Sequence, residues 1–206
     1  MENRTLQRAF NFEMRAENDE KNGDFVTGRP IVYDSMTDLG YFNEIIERGA
    51  LDKANLKDVR FLVNHDTSKI PLARSRNNNE NSTMQMEVDA EGMKIRVNLD
   101  TENNTEAKNL YSAIKRGDIT GMSFMFSIDK EEWEDLDSDH PTRHIKSIGQ
   151  VLEVSAVTFP AYESTEISAR DKEALDSAKA TLDSVRRSTL DSEALELEKA
   201  KIKALY

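Results

Sequence analysis

Residues Ile145 to Phe159 read as the last strong strand of this chain. They centre on Val151-Leu-Glu-Val-Ser-Ala-Val157 and stop at Pro160. In a strand, successive side chains point to opposite faces, and here both faces carry apolar residues. Such a strand must be covered on both sides and lie deep in a sheet. It also holds a carboxylate, Glu153, where an unpaired charge is costly.

The other β signals agree. Met84, Met86 and Val88 alternate, Asp89-Ala-Glu-Gly92 turns, and Met93, Ile95, Val97 and Leu99 alternate again, which predicts a hairpin with one wet face. Residues 6–16 alternate around Phe10, Phe12 and Met14, and Asn22-Gly23 leads into a returning strand over Phe25–Val32. Val59–Val63 is a short strand delivering Asn64-His65-Asp66, and Thr120–Ile128 is another, with Ser123 just past Gly121. The period changes to helical over Thr105–Arg116, with Thr105 as N-cap and Gly117 as terminator. A short helix is expected near Ala50–Leu56, and Asp129–Asp139 reads as a wet acidic loop.

From about Tyr162 onward, Glu, Lys, Ala, Ser and Leu dominate, with only a broken apolar stripe. The expected organisation is one domain over residues 1–163 and an acidic, helical or partly disordered tail over 164–206. The fold class is mainly β with flanking helices (α+β), an antiparallel barrel-like or curved sheet.

Charge and composition narrow the function. Net charge is −11 over 206 residues, against a nucleic-acid partner. There are no cysteines, hence no disulfide, thiol nucleophile or thiolate metal site, which fits a reducing compartment. No signal peptide is visible, and no apolar run reaches the ~18 residues of a membrane span, so a soluble, cytoplasmic protein is expected and the sequons at Asn81 and Asn103 carry no weight.

Three histidines are present. His140 and His144, with Asp137 or Asp139, could be read as a metal site, but Pro141 disfavours a helix presenting both rings, and solvated loop residues are the better reading; no metal or cofactor is expected. A serine hydroxyl becomes nucleophilic when an imidazole accepts its proton and a third group orients that imidazole. Ser123 and His65 could form such a pair, though two residues so far apart in sequence say little by themselves. For Glu153, residue pattern alone favours a structural ion pair with Arg74 or Arg143.

The order of motifs resembles a known family. Glu47-Arg-Gly-Ala-Leu51, Val59-Arg-Phe-Leu-Val-Asn-His-Asp66, Pro71-Leu-Ala-Arg74, Glu91-Gly-Met93, Ile114-Lys-Arg-Gly-Asp-Ile119, Gly121-Met-Ser-Phe-Met-Phe126 and Leu152-Glu-Val-Ser-Ala-Val-Thr-Phe-Pro-Ala-Tyr162 together resemble the prohead proteases of HK97-type tailed phages. The resemblance implies a serine endopeptidase inside the immature capsid of the infected cell, with a fold like the herpesvirus assembly proteases. Its implied substrates are the internal scaffold region of the major capsid protein and the enzyme itself. On the matching motifs, Ser123 is the nucleophile and His65 the base; Glu153 is the third member, with His144 as runner-up. Ala73 and Met125 stand where the family tends to have glycine, which bears on the shape of the cleft. The competing class is a non-catalytic assembly factor acting through the acidic tail.

Overall fold

A computed structural model describes residues 5–10, 14–20, 23–159 and 165–203. The strand expected over 6–16 is two strands in different sheets, β1 (Thr5–Phe10) and β2 (Arg15–Asp19); residues 11–13 between them, and with them Phe12, lie outside the described residues, as does Asn22 of the turn. Then come β3 (Gly23–Val32), β4 (Met36–Asp38), β5 (Asn43–Ile46), β6 (Asp58–Val63), β7 (Ala73–Arg76), β8 (Met84–Asp89) and β9 (Gly92–Asn98). Helix α1 (Thr105–Arg116), β10 (Gly121–Glu134), β11 (Thr142–Val157) and helix α2 (Thr165–Lys203) complete the order.

The strand that is apolar on both faces organises the larger sheet. β11 pairs along its length with β10, antiparallel. Along its other edge lie two short parallel strands in succession: β5 against Thr142–Ile145 and β6 against Glu153–Ala156. β1 extends the sheet beyond β10, β4 beyond β5 and β7 beyond β6, giving seven strands. The remaining four form a separate sheet in the order β2-β3-β9-β8. The barrel expectation is thus corrected. Among the described residues the larger sheet is mixed and open: β1, β4 and β7 each pair on one side only.

β10 and β11 run past several register shifts, at Met125/Phe126 and between Ser127 and Glu131. The first skips Leu152, which puts Val151 and Val154 opposite Phe126 and Phe124. Such bulges bend a strand pair and increase its twist. Phe124 and Phe126 are fully buried with ring centroids 4.8 Å apart. Each contributes about 2 kcal/mol through burial. With Met122, Ile145, Ile148 and Ala156 they belong to the main core.

Two local expectations change. Residues 50–53 form turns and Asn55 an isolated bridge to Gln150 rather than a helix, and Ile148 N–H and Val151 N–H take the carbonyls of Ala50 and Asn55. The acidic stretch from Asp129 to Glu134 is strand, with cross-strand ion pairs of Glu131 with Arg143 and Glu132 with Lys146 and a 3.0 Å contact of Glu134 with His144 Nε2. Helix α1 stands where its periodicity predicts, but Asn104 is the N-cap, its side chain accepting from Glu106 N–H and Ala107 N–H. Gly117 ends it with φ of 79°, a left-handed value that glycine takes without strain. Gly92 is needed for space: a Cβ there would stand 2.0 Å from the Ile31 carbonyl oxygen.

Candidate active site

Three neighbouring strands bring the predicted residues together. Ser123 on β10 lies directly opposite Ser155 on β11, and Met125 opposite Glu153. Directly paired antiparallel residues share a face, so Ser123, Ser155 and Glu153 point to the same side, with the two serine Cβ atoms about 5 Å apart. On the far edge of β11, β6 runs parallel, with Leu62 opposite Ser155, and hands the chain to His65 just past its end.

The turn after β6 folds His65 back over that face. Asn64 and His65 have φ of 52° and 59°, two successive left-handed residues without glycine. Backbone of this kind costs on the order of 1 kcal/mol per residue and persists only where surroundings hold it. The hold is visible: Asn64 Oδ1 accepts Thr158 N–H at 2.9 Å, Asn64 Nδ2 donates to Thr158 Oγ1 at 3.1 Å, and His65 N–H donates to Ser155 Oγ at 3.1 Å.

The outcome is an imidazole–carboxylate pair, with His65 Nδ1 and Glu153 Oε1 2.6 Å apart. A carboxylate can only accept here, so Nδ1 carries the hydrogen and Nε2 is the basic nitrogen. Glu153 is buried and the His65 side chain is 18% exposed, so the pair is shielded on one side and reachable on the other. Ser155 Oγ donates to Glu153 Oε2 at 2.5 Å. Neither arginine favoured as a structural partner meets Glu153: Arg74 forks onto Asp58, and Arg143 onto Glu44.

Ser123 is 1% exposed, and its hydroxyl donates to the Arg8 carbonyl of β1 at 2.8 Å. In this resting arrangement the hydroxyl is turned towards β1. Rotation about χ1 and access past β1 are needed before it can act.

The other histidines lie elsewhere. His144 is nine positions before Glu153 on β11, about 30 Å away along an extended strand. Its ring nitrogens each stand 3.0 Å from a carboxylate, Nδ1 from Glu47 and Nε2 from Glu134. His140 faces Asn43 and Asp38, and Asp137 pairs with Arg186 of α2. A groove of about 910 Å³ lies on the smaller sheet, lined by Arg15, Glu17, Arg29, Met86, Lys94 and Arg96. It shares no residue with the Ser123–His65–Glu153 cluster. Among the described residues, no helix is long and apolar enough to cross a membrane.

Residue pattern did not single out Ser155, although the spacing Glu153-x-Ser155 places both side chains on one strand face. A buried ion cluster beneath β1 was also missed. Arg8 Nε meets Glu44 Oε1 at 2.5 Å, Arg8 Nη2 meets Asp171 Oδ1 of α2 at 2.8 Å, and Arg143 Nε meets Glu44 Oε2 at 2.9 Å. Burial pushes the Glu44 carboxyl up, but Arg8 and Arg143 outweigh it and hold it at about 2. Burial, assisted by the charge of Glu44, raises the Asp171 carboxyl against the pull of the two arginines.

Residues 10–180 match the family model described as caudovirus prohead serine protease. The chain belongs to this family. A curated relative, the prohead protease of Enterobacteria phage HK97, is 30% identical over 161 residues, covering 76% of this chain. The chain spans 64% of that relative's length. The bacteriophage T4 capsid assembly protease superimposes with a TM-score of 0.41 at 14% identity, over 75% of this chain and 99% of the T4 one.

Proposed function

We propose that this prohead serine protease family member is a serine endopeptidase of capsid maturation, with Ser123 as nucleophile, His65 as general base and Glu153 as the orienting carboxylate. The observation that carries the reading is the 2.6 Å His65–Glu153 pair, on the strand face that also bears Ser123. This is the set of roles that acyl transfer by a serine requires.

The reaction begins when Ser123 Oγ leaves the Arg8 carbonyl and attacks the scissile carbonyl carbon. His65 Nε2 takes the hydroxyl proton, and Glu153 stabilises the imidazolium through Nδ1–H. Collapse of the tetrahedral intermediate breaks the C–N bond, and Nε2 returns the proton to the departing amine. Water, deprotonated by the same nitrogen, then releases the acyl group and restores Ser123. The substrates are the internal scaffold region of the major capsid protein and the enzyme's own chain, and the place of action is the interior of the prohead.

Co-expression with the cognate capsid protein, read by mass spectrometry, tests this. Wild type should yield shortened capsid protein, and Ser123→Ala none, with an unchanged circular dichroism spectrum. Equal processing by both would overturn the assignment. An intact capsid protein with wild type would favour a non-catalytic assembly role.

A further inference from the structure

Ser155 is fully buried, yet its hydroxyl is engaged on two sides. It donates to Glu153 Oε2 at 2.5 Å and accepts the main-chain N–H of His65 at 3.1 Å. One hydroxyl thus touches both halves of the imidazole–carboxylate pair. We infer that Ser155 is a positioning residue for catalysis, holding the Glu153 carboxylate and the His65 backbone in register with each other; this rests on the catalytic roles proposed for Ser123, His65 and Glu153.

The reasons are geometric and energetic. A carboxylate with one oxygen on an imidazole can still swing about its terminal torsion, which is broad for Glu. A donor on the second oxygen removes that freedom, and hydrogen bonds to ionised groups are about twice as strong as neutral ones. The acceptor side matters equally. His65 sits in a left-handed turn, and its N–H would be unsatisfied without Ser155. Ser155 is also directly opposite Ser123 on the adjacent strand. Its hydroxyl contacts go to Glu153 and to the His65 backbone, so its effect passes through them. Such supporting contacts hold catalytic groups near productive geometry, where misplacement by about 1 Å can cost on the order of 100-fold.

Three variants of the full chain separate positioning from packing. Ser155→Ala removes the hydroxyl, Ser155→Cys keeps most of the volume with a poor donor, and Ser155→Thr keeps the hydroxyl. Cleavage kinetics should show kcat reduced about 10- to 100-fold in Ser155→Ala and Ser155→Cys, with KM within about twofold. Ser155→Thr should recover a large part of the loss. In a Ser123→Ala background, which prevents self-digestion, the proton NMR resonance of His65 Nδ1–H should lie far downfield with Ser155 present, and should shift or broaden in Ser155→Ala. An unchanged kcat in a folded Ser155→Ala or Ser155→Cys protein would overturn the inference, as would a change in KM alone. Failure of both variants to fold would also overturn it, by making the hydroxyl structural. If the wild type cleaves nothing, the functional reading fails while the His65 resonance still reports on Ser155.

Discussion

At the scale of single residues, His65 and Glu153 are each explained by what the other needs. A carboxylate on an apolar strand requires a partner, and an imidazole in a left-handed turn requires something to fix its ring. Glu153→Gln should leave volume and backbone intact while presenting an amide that can donate to Nδ1, which favours the tautomer with its hydrogen on Nε2. Loss of the orienting carboxylate in a serine triad costs about 10⁴ in kcat, and a fall of at least ~10³ is expected here. His144→Ala, on a remote part of β11, should change kcat less than about twofold. Parallel cleavage assays of the two variants check this; a larger loss in His144→Ala would transfer the third role to that histidine. The anomaly of Glu153 was legible in the sequence, because a charge inside Val-Leu-Glu-Val-Ser-Ala-Val stands out against its neighbours. Its partner was legible only through the motif resemblance, since residue pattern alone favoured an arginine. Nothing local in Val59–Asp66 announces that β6 runs parallel to β11, or that Asn64 and His65 turn the ring back over it.

At the scale of elements, local patterns were readable and long-range ones were not. The β8–β9 hairpin and helix α1 follow from alternation and from a 3.6-residue period, both of which are written into contiguous residues. The strand character of Asp129–Glu134 goes with polar cross-strand contacts to Arg143, His144 and Lys146, so its polar composition read as loop. The ion cluster is less legible still, since it gathers Arg8, Glu44, Arg143 and Asp171 from four elements. Through it α2 is tied to β1, whose Arg8 carbonyl holds the Ser123 hydroxyl. Ala174 and Leu175 are buried beside Asp171 on the same helix, while most of α2 further on is exposed. Asp171→Ala should therefore release the start of α2 and loosen β1 together. The substitution removes the Asp171–Arg8 contact that joins the two elements. Hydrogen exchange should show faster exchange in both elements, with β8 and β9 unaffected; acceleration in α2 alone would mean that the cluster does not couple them.

At the scale of the whole molecule, the same cluster sets how the fold responds to acid. The protein carries a net charge of −11 at pH 7, and most of its carboxylates are exposed, where ion pairs are worth little. Glu44 is different. Burial alone would raise its pKa, but Arg8 and Arg143 hold it at about 2, from an ordinary value of 4.5. A carboxyl depressed in the fold stabilises the native state above its unfolded pKa, and that stability is lost as pH falls through the folded pKa. The window is therefore pH 4.5 down to about 2, and the loss about 3 kcal/mol, at 1.36 kcal/mol per pH unit. Asp171 acts in the opposite sense. Raised by burial and by Glu44, it favours the native state when protonated and withdraws that contribution as pH rises through its elevated pKa. Glu44 dominates below pH 4.5 because its carboxylate is shared by both arginines. Urea unfolding at a series of pH values should show stability falling steeply below pH 4.5 in wild type. Glu44→Gln should start from a lower stability at pH 7 and lose less on acidification, so that the two curves converge near pH 2. Parallel curves would show that other carboxylates carry the acid sensitivity of this fold.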